Sequence, residues 1–173
     1  SLMNYMEMHP YDWDSTVVMV RHAGEDMVRL FEGLDSDHEE ITFFGLTNHS
    51  IRRYLLQKNL QRVADLDIDW CRSILFQHVV DGKYYRKDIP SGKPGLYGTL
   101  GTGGMILTTL AKTKVWVYVV VQESGGIVEN AAKPIYVNFL KSNGNYAVAS
   151  GDIEPNNCIV HALDYNFTLG DEE

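Results

Sequence analysis

Residues 114–122 read Lys-Val-Trp-Val-Tyr-Val-Val-Val-Gln, and the seven from Val115 to Val121 are all β-branched or aromatic. Branching at Cβ restricts χ1, suits a pleated backbone and packs well on both faces of a sheet. The run is too short to cross a bilayer and too β-branched for a convincing helix. It is expected to form a central strand buried on both sides, with the other strands added around it. A chain organised on such a strand is a sheet protein, and the strand itself carries no chemistry.

The remaining segments supply helices and hairpins. Residues 3–15 are rich in Met, Tyr, Trp and Asp, and Pro10 is expected to break any regular element there. Residues 16–21, Thr-Val-Val-Met-Val-Arg, read as a short strand. Gly24 ends it, and residues 25–33 suit a short helix with Met27, Leu30 and Phe31 on one side. Glu25 and Asp26 at its start match the positive end of the helix dipole. A charged turn at 35–40 precedes a strand at 41–46. The strongest helical pattern follows, capped by Asn48 or Ser50, with an apolar stripe of Leu56, Leu60, Val63 and Ala64. Its other face carries Arg52, Arg53, Lys58 and Arg62.

From Trp70 onward strands and turns are expected. Residues 71–80 read as a strand, with Asp81-Gly82 as a hairpin turn and 83–87 as the return. A Gly- and Pro-rich loop at 90–104 leads to strands at 105–111 and 114–122, and Ser124-Gly125-Gly126 turns the chain. A second hairpin joins 135–140 to 146–149 through Ser142-Asn143-Gly144-Asn145. In 158–169 Ile159, His161, Leu163, Tyr165, Phe167 and Leu169 alternate with smaller or polar residues, as a half-buried strand requires.

The expected class is therefore α+β: mainly an antiparallel β-sheet or sandwich with one or two N-terminal helices packed on it. One domain spans 3–173, with a strand–helix–strand–helix portion at 3–66 and a hairpin-rich portion at 70–169. Ser1-Leu2 ahead of Met3 has the form of a cloning remnant, so fold reasoning starts at Met3. Apolar content of 45% with 22% charged residues is ordinary for a soluble globular protein. The net charge of -8 argues against nucleic acid as the main partner, because phosphate neutralisation needs clustered Lys and Arg. Acidic residues near both chain ends are expected to add only solubility. The N-terminus lacks the basic-then-apolar order of a signal peptide, and no stretch is long enough for a membrane span. The two cysteines, Cys71 and Cys158, are expected to be buried free thiols, which suits a reducing cytoplasmic or host-cell interior.

Residues 17–25, Val-Val-Met-Val-Arg-His-Ala-Gly-Glu, resemble the opening motif of the histidine phosphatase superfamily. In that motif an apolar strand ends in Arg-His, presenting an imidazole nucleophile beside a phosphate-binding guanidinium. The resemblance implies that His22 takes the phosphoryl group, Arg21 binds it, and His161 stands as the second histidine. The family's second arginine motif is missing, and glycine does not follow His161. Asn156-Asn157-Cys158 resembles the nucleophile segment of papain-like thiol proteases, where the cysteine opens a helix. No histidine follows His161 to act as its base. Asp65-x-Asp67-x-Asp69 imitates a calcium loop but has Trp70 where the turn glycine belongs and Phe76 where a bidentate Glu is required. The histidines are scattered, so no metal site is expected, and no cofactor is implied.

Glycine stands at every third position from Gly95 to Gly104, without the Lys-Ser/Thr of a P-loop. Such density lets another backbone come close or lets the loop rearrange on meeting a ligand or a second subunit. Tyr84, Tyr85 and Tyr97, with Lys83, Arg86, Lys87 and Lys93, are expected to form an aromatic-basic rim beside it. Tyr and Arg are enriched at interfaces, which makes Tyr84, Tyr85, Arg86 and Tyr97 the expected partner-binding residues. The functional expectation is a non-catalytic binding or assembly domain with a protein partner or self-association, of microbial or viral type. The enzymatic alternative is a small phosphohydrolase using Arg21 and His22.

Overall fold

The computed structural model describes residues 1–120 and 134–173, with the backbone of two short strands between them. In chain order the elements are α1 (Leu2–Met8), α2 (Pro10–Ala23), α3 (Glu25–Glu32), β1 (Ile41–Gly45), α4 (Asn48–Gln57), α5 (Ile68–Gln77) and β2 (Val79–Asp81). Then come β3 (Gly92–Lys93), β4 (Thr102–Gly103), β5 (Met105–Thr108), β6 (Lys114–Val119), β7 (Glu123–Ser124) and β8 (Ile127–Val128). The chain finishes with β9 (Ile135–Phe139), β10 (Gly144–Ile153) and β11 (Cys158–Leu163).

Seven strands form one sheet in the order β2-β1-β11-β10-β9-β6-β5. Every pairing in it is antiparallel except β1 with β11, which run parallel with Ile41 opposite Cys158. The two edges approach each other, since Val80 bridges Thr109 and the Leu110 N–H donates to the Val79 carbonyl at 2.9 Å. The sheet therefore curls toward a barrel. The α+β expectation holds, with five α-helices among the described residues rather than one or two.

Residues 3–21 form helices, which corrects both the irregular segment and the strand expected there. Pro10 starts α2 at its first turn, where a missing N–H costs nothing and φ is already helical. Trp13, Thr16, Val17, Val20 and Ala23 are buried at helical spacing, so α2 spends its β-branched residues on a core face. This helix contacts α1, α3, α4 and α5 and is the hub of the helical layer. Leu2 is fully buried and its N–H donates to Asn157 Oδ1 at 2.9 Å, so the first residues belong to the fold. The α3 helix is as expected and ends on Gly33 in the left-handed conformation.

Of residues 71–80, expected as a strand, 71–77 fold as helix and only Val79 and Val80 lie in a strand, β2. Asp67 caps α5 by accepting the Trp70 N–H at 2.9 Å, and Cys71, Ile74 and Leu75 face the core. In α4 the buried residues are Ile51 and Leu55, whereas Leu56 is 79% exposed. The expected stripe was one residue out of phase, and the helix stops at Gln57 before reaching Leu60. Asn48 is no cap: it accepts the Ser15 N–H at 2.8 Å and donates to the Pro10 and Tyr11 carbonyls, tying α4 to α2. The hairpin expected at Asp81-Gly82 is absent, because β2 pairs with β1 and residues 86–88 make a 3-10 turn.

The β6 strand is buried on both faces from Val115 to Val119, as expected, but lies next to the β5 edge rather than at the centre. Val121 and Gln122, and the turn glycines Gly125 and Gly126, lie outside the described residues. The β9–β10 hairpin is observed. The β11 strand is buried at all six positions and ends at Leu163, so it is not half-buried and does not reach Leu169. Its edges are paired with β1 and β10, and both of its faces are covered. The acidic C-terminal residues are structural as well: Glu172 is fully buried against His78.

Candidate functional site

The glycine-rich loop lies against the sheet. Its β3 and β4 segments pair with each other, Gly92 opposite Gly103, and the Gly104 N–H donates to the Ser91 carbonyl at 2.9 Å. Beneath them β6 and β9 present a ladder of stacked rings, Trp116 to Tyr118 at 4.1 Å and Tyr118 to Tyr136 at 5.5 Å. A Cβ on Gly104 would sit 2.5 Å from Trp116 Nε1, so only glycine lets the backbone settle on these rings. Trp116 Nε1 then donates to the Gly103 carbonyl at 2.9 Å, and Asn138 Nδ2 to the Gly98 carbonyl at 2.7 Å. Of the two uses expected for dense glycine, the loop shows close backbone approach.

This anchoring pushes the loop's own side chains outward. Tyr97 is completely exposed and has φ 57, the left-handed region that a non-glycine residue rarely occupies. Leu96 is 82% and Leu100 49% exposed beside it. The turn is closed by Gly95 N–H to the Thr99 carbonyl at 2.9 Å and by Thr99 Oγ1 to the Leu96 carbonyl at 2.9 Å. Three large apolar groups are thus held out on a hydrogen-bonded scaffold. The two leucines were missed at sequence level, although apolar residues inside a glycine-rich loop were a visible signal.

Tyr84, Tyr85 and Arg86 do not join Tyr97 in one rim. The Tyr97 turn meets β10 near its start, where Gly98 packs on Asn145, whereas Tyr85 bonds Glu154 just past the end of that strand. At about 3.3 Å per residue the two are separated along β10 by on the order of 30 Å. Tyr84 packs on the core, its N–H donating to Thr42 Oγ1 at 2.8 Å and its carbonyl accepting from His161. Tyr85 Oη donates to Glu154, whose carboxylate pushes the phenol up to about 12. Lys83 reaches the same carboxylate at 3.3 Å, Lys87 sits 5.1 Å over the Tyr85 ring, and the Arg86 N–H donates to Asp152 Oδ1 at 2.7 Å. These groups bond one another and pin the β10–β11 connection.

Arg21 and His22 lie in the last turn of α2, not at a strand end. Arg21 pairs with Glu7 at 2.7 Å, and His22 Nε2 bonds the Leu66 carbonyl at 2.7 Å, so that nitrogen carries a proton and is no nucleophile. His161, in β11, is fully buried. Its Nε2 donates to the Tyr84 carbonyl at 2.7 Å and its Nδ1 accepts from the Asp152 N–H at 3.3 Å. Both nitrogens are satisfied in the neutral ring, and burial holds its pKa below the ordinary histidine value. The three residues bond different elements and form no common phosphate site. Cys158 opens a strand rather than a helix, and burial pushes its thiol up to about 12; burial raises Cys71 to about 11. Both are free thiols in the protonated form. Among the described residues no group of three or more His, Cys, Asp or Glu is placed to hold a metal, and no helix is long and apolar enough to cross a membrane.

Curated protein sequences give no match to this chain. Among solved structures it is similar to that described as "Novel Fold Revealed by the Structure of a FAS1 Domain Pair from the Insect Cell Adhesion Molecule Fasciclin I", at TM-score 0.54 and 15% identity. The similarity covers 87% of this chain and 43% of that one, so this chain spans less than half of the domain pair. At that identity the likeness concerns the fold. The family model described as the fasciclin domain matches residues 19–167, from within α2 to beyond β11. A match running from the last turns of α2 through the whole curled sheet leaves one assignment: the chain belongs to the fasciclin domain family.

Proposed function

We propose that this fasciclin domain is a non-catalytic adhesion module that binds a protein partner, a second copy of itself in the first instance, through residues 96–100. The observation that carries this reading is the complete exposure of Tyr97 between exposed Leu96 and Leu100 on a bonded turn. Exposed apolar groups on a preformed scaffold lose little conformational entropy on docking, and aromatic residues dominate interface energetics. The family's role in adhesion and binding supports it. So does the similar solved structure, a pair of such domains from a cell adhesion molecule.

Light scattering across a wide protein concentration range tests the reading. A reversible oligomer is expected. Changing Leu96, Tyr97 and Leu100 together to Ser should weaken association by about 100-fold or more, as loss of central anchors does. Changing Tyr85 alone to Phe should leave association intact, because that side chain is engaged with Glu154. A strict monomer at every concentration would overturn self-association.

A further inference from the structure

The chain holds two Asn-x-Ser/Thr triplets, Asn48-His49-Ser50 and Asn166-Phe167-Thr168, neither with proline in the middle. Each has the sequence form of an N-glycan acceptor. The fold separates them. Asn48 is 2% exposed, and its Nδ2 donates to the Pro10 carbonyl at 3.0 Å and to the Tyr11 carbonyl at 2.8 Å. Both amide protons are therefore used between α2 and α4. A sugar on that nitrogen would remove one of these bonds and would need room inside the helical layer.

Asn166 stands in the opposite setting. It is exposed in the turn after β11, beside Tyr165, which is exposed as well. The Asp164 carboxylate sets this turn by accepting the Asn166 N–H at 3.0 Å. Asn166 Nδ2 donates one proton to the other oxygen of that carboxylate at 3.3 Å, and no other described residue bonds it. Replacing the second amide proton by a sugar thus costs no hydrogen bond. Phe167 is fully buried, and the Thr168 hydroxyl is buried too, accepting from Arg53 Nη1 at 3.0 Å. The hydroxyl that marks the triplet is out of reach in the folded domain, so this acceptor is read on the extended chain before folding. Folding then closes over Phe167 and Thr168 and leaves the Asn166 amide outside.

We infer that Asn166 is an N-glycan acceptor site and that Asn48 is not. Transfer forms a bond between Asn166 Nδ2 and the anomeric carbon of the first sugar. It breaks that carbon's bond to the pyrophosphate of a lipid-linked oligosaccharide, and the displaced amide proton leaves through the transferase to solvent. The inference rests on the adhesion reading in one respect: a domain that meets its partner outside the cell passes through a secretory compartment first. The cysteines, which suggested a reducing interior at sequence level, do not oppose this, because both are protonated free thiols shielded by burial.

Expression in cultured human cells behind a cleavable secretion leader tests it. Peptide N-glycosidase F in heavy-oxygen water converts each glycosylated Asn to an Asp carrying one heavy oxygen, so peptide mass spectrometry reads positions 48 and 166 separately. In the secreted protein, occupancy at Asn166 should exceed that at Asn48 by about ten-fold or more, the selectivity that one unmade buried hydrogen bond imposes. Asn166→Gln should abolish the glycan and leave the circular dichroism of the chain unchanged. An unoccupied Asn166 in the total protein, or similar occupancy at the two positions in the secreted protein, would overturn the inference. Light scattering on the same secreted protein reads association independently, so the glycan site and the adhesion reading can fail separately.

Discussion

Glu172 Oε2 lies 2.6 Å from His78 Nε2, and both side chains are fully buried. His78 Nδ1 faces the Phe44 carbonyl at 2.7 Å, so it must donate, and one further proton is shared between Nε2 and the carboxylate. The other Glu172 oxygen accepts the Gly170 N–H at 2.6 Å. Around the pair Phe139 and Phe167 approach the imidazole at 5.1 and 5.3 Å, excluding water. Truncating Glu172 therefore strands two polar groups in an apolar pocket. Glu172→Ala is expected to cost about 3–5 kcal/mol in chemical denaturation. Glu172→Gln should cost under about 1.5 kcal/mol, since the amide can donate to a neutral Nε2 while its oxygen keeps the Gly170 bond. Equal losses for the two variants would show that packing, not hydrogen bonding, holds the segment. This residue also shows why composition misled: an acidic residue near a chain end reads as solvated until its partner, 94 positions away, is placed beside it.

At the scale of elements, α3, β1 and the β9–β10 hairpin were legible because each is short and bounded by turn residues. Helices α2 and α5 were not. Thr-Val-Val-Met-Val within α2 has strand propensity, and only the wider spacing from Trp13 to Ala23 shows the helical face. In α5 the run Cys-x-x-Ile-Leu is equally short, and its cap at Asp67 was the overlooked signal. Tertiary packing decided both. The contact that docks α2 on the sheet is narrow: a Cβ on Gly45 would lie 2.5 Å from Trp13 Cη2, and Trp13 is packed 6.2 Å from the Phe43 ring. Gly45→Ala is thus expected to destabilise the fold by about 1–3 kcal/mol through overpacking. Trp13→Phe in the same chain should recover part of that loss, because the smaller ring frees the space. A double-mutant cycle by denaturant unfolding reads the coupling, and strict additivity would place the strain elsewhere. Site legibility followed the same rule. Tyr97 stood out as an aromatic residue among glycines, whereas Tyr84 and Tyr85, adjacent in sequence, face the core and a carboxylate respectively.

The whole molecule carries a net charge of -8 unevenly. Residues 93–104 contain no Asp or Glu, so a contact through the 96–100 turn gathers apolar surface while the rest of each copy repels the other. The groove before β1 and β11, lined by Glu32, Asp35, Glu39 and Glu40, gathers the opposite character, carboxylates in excess. The 96–100 surface could not be assembled from the sequence alone, because it depends on the loop settling on Trp116. Added salt shortens the screening length several-fold between dilute buffer and molar salt. Raising NaCl from about 50 to about 500 mM should therefore strengthen copy–copy association by about three-fold or more, since it screens repulsion and leaves apolar burial intact. Sedimentation velocity at the two salt concentrations reads it. If association weakens instead, the copies meet through charge, acidic groove against the exposed basic residues of α4 such as Arg52, and not through Tyr97.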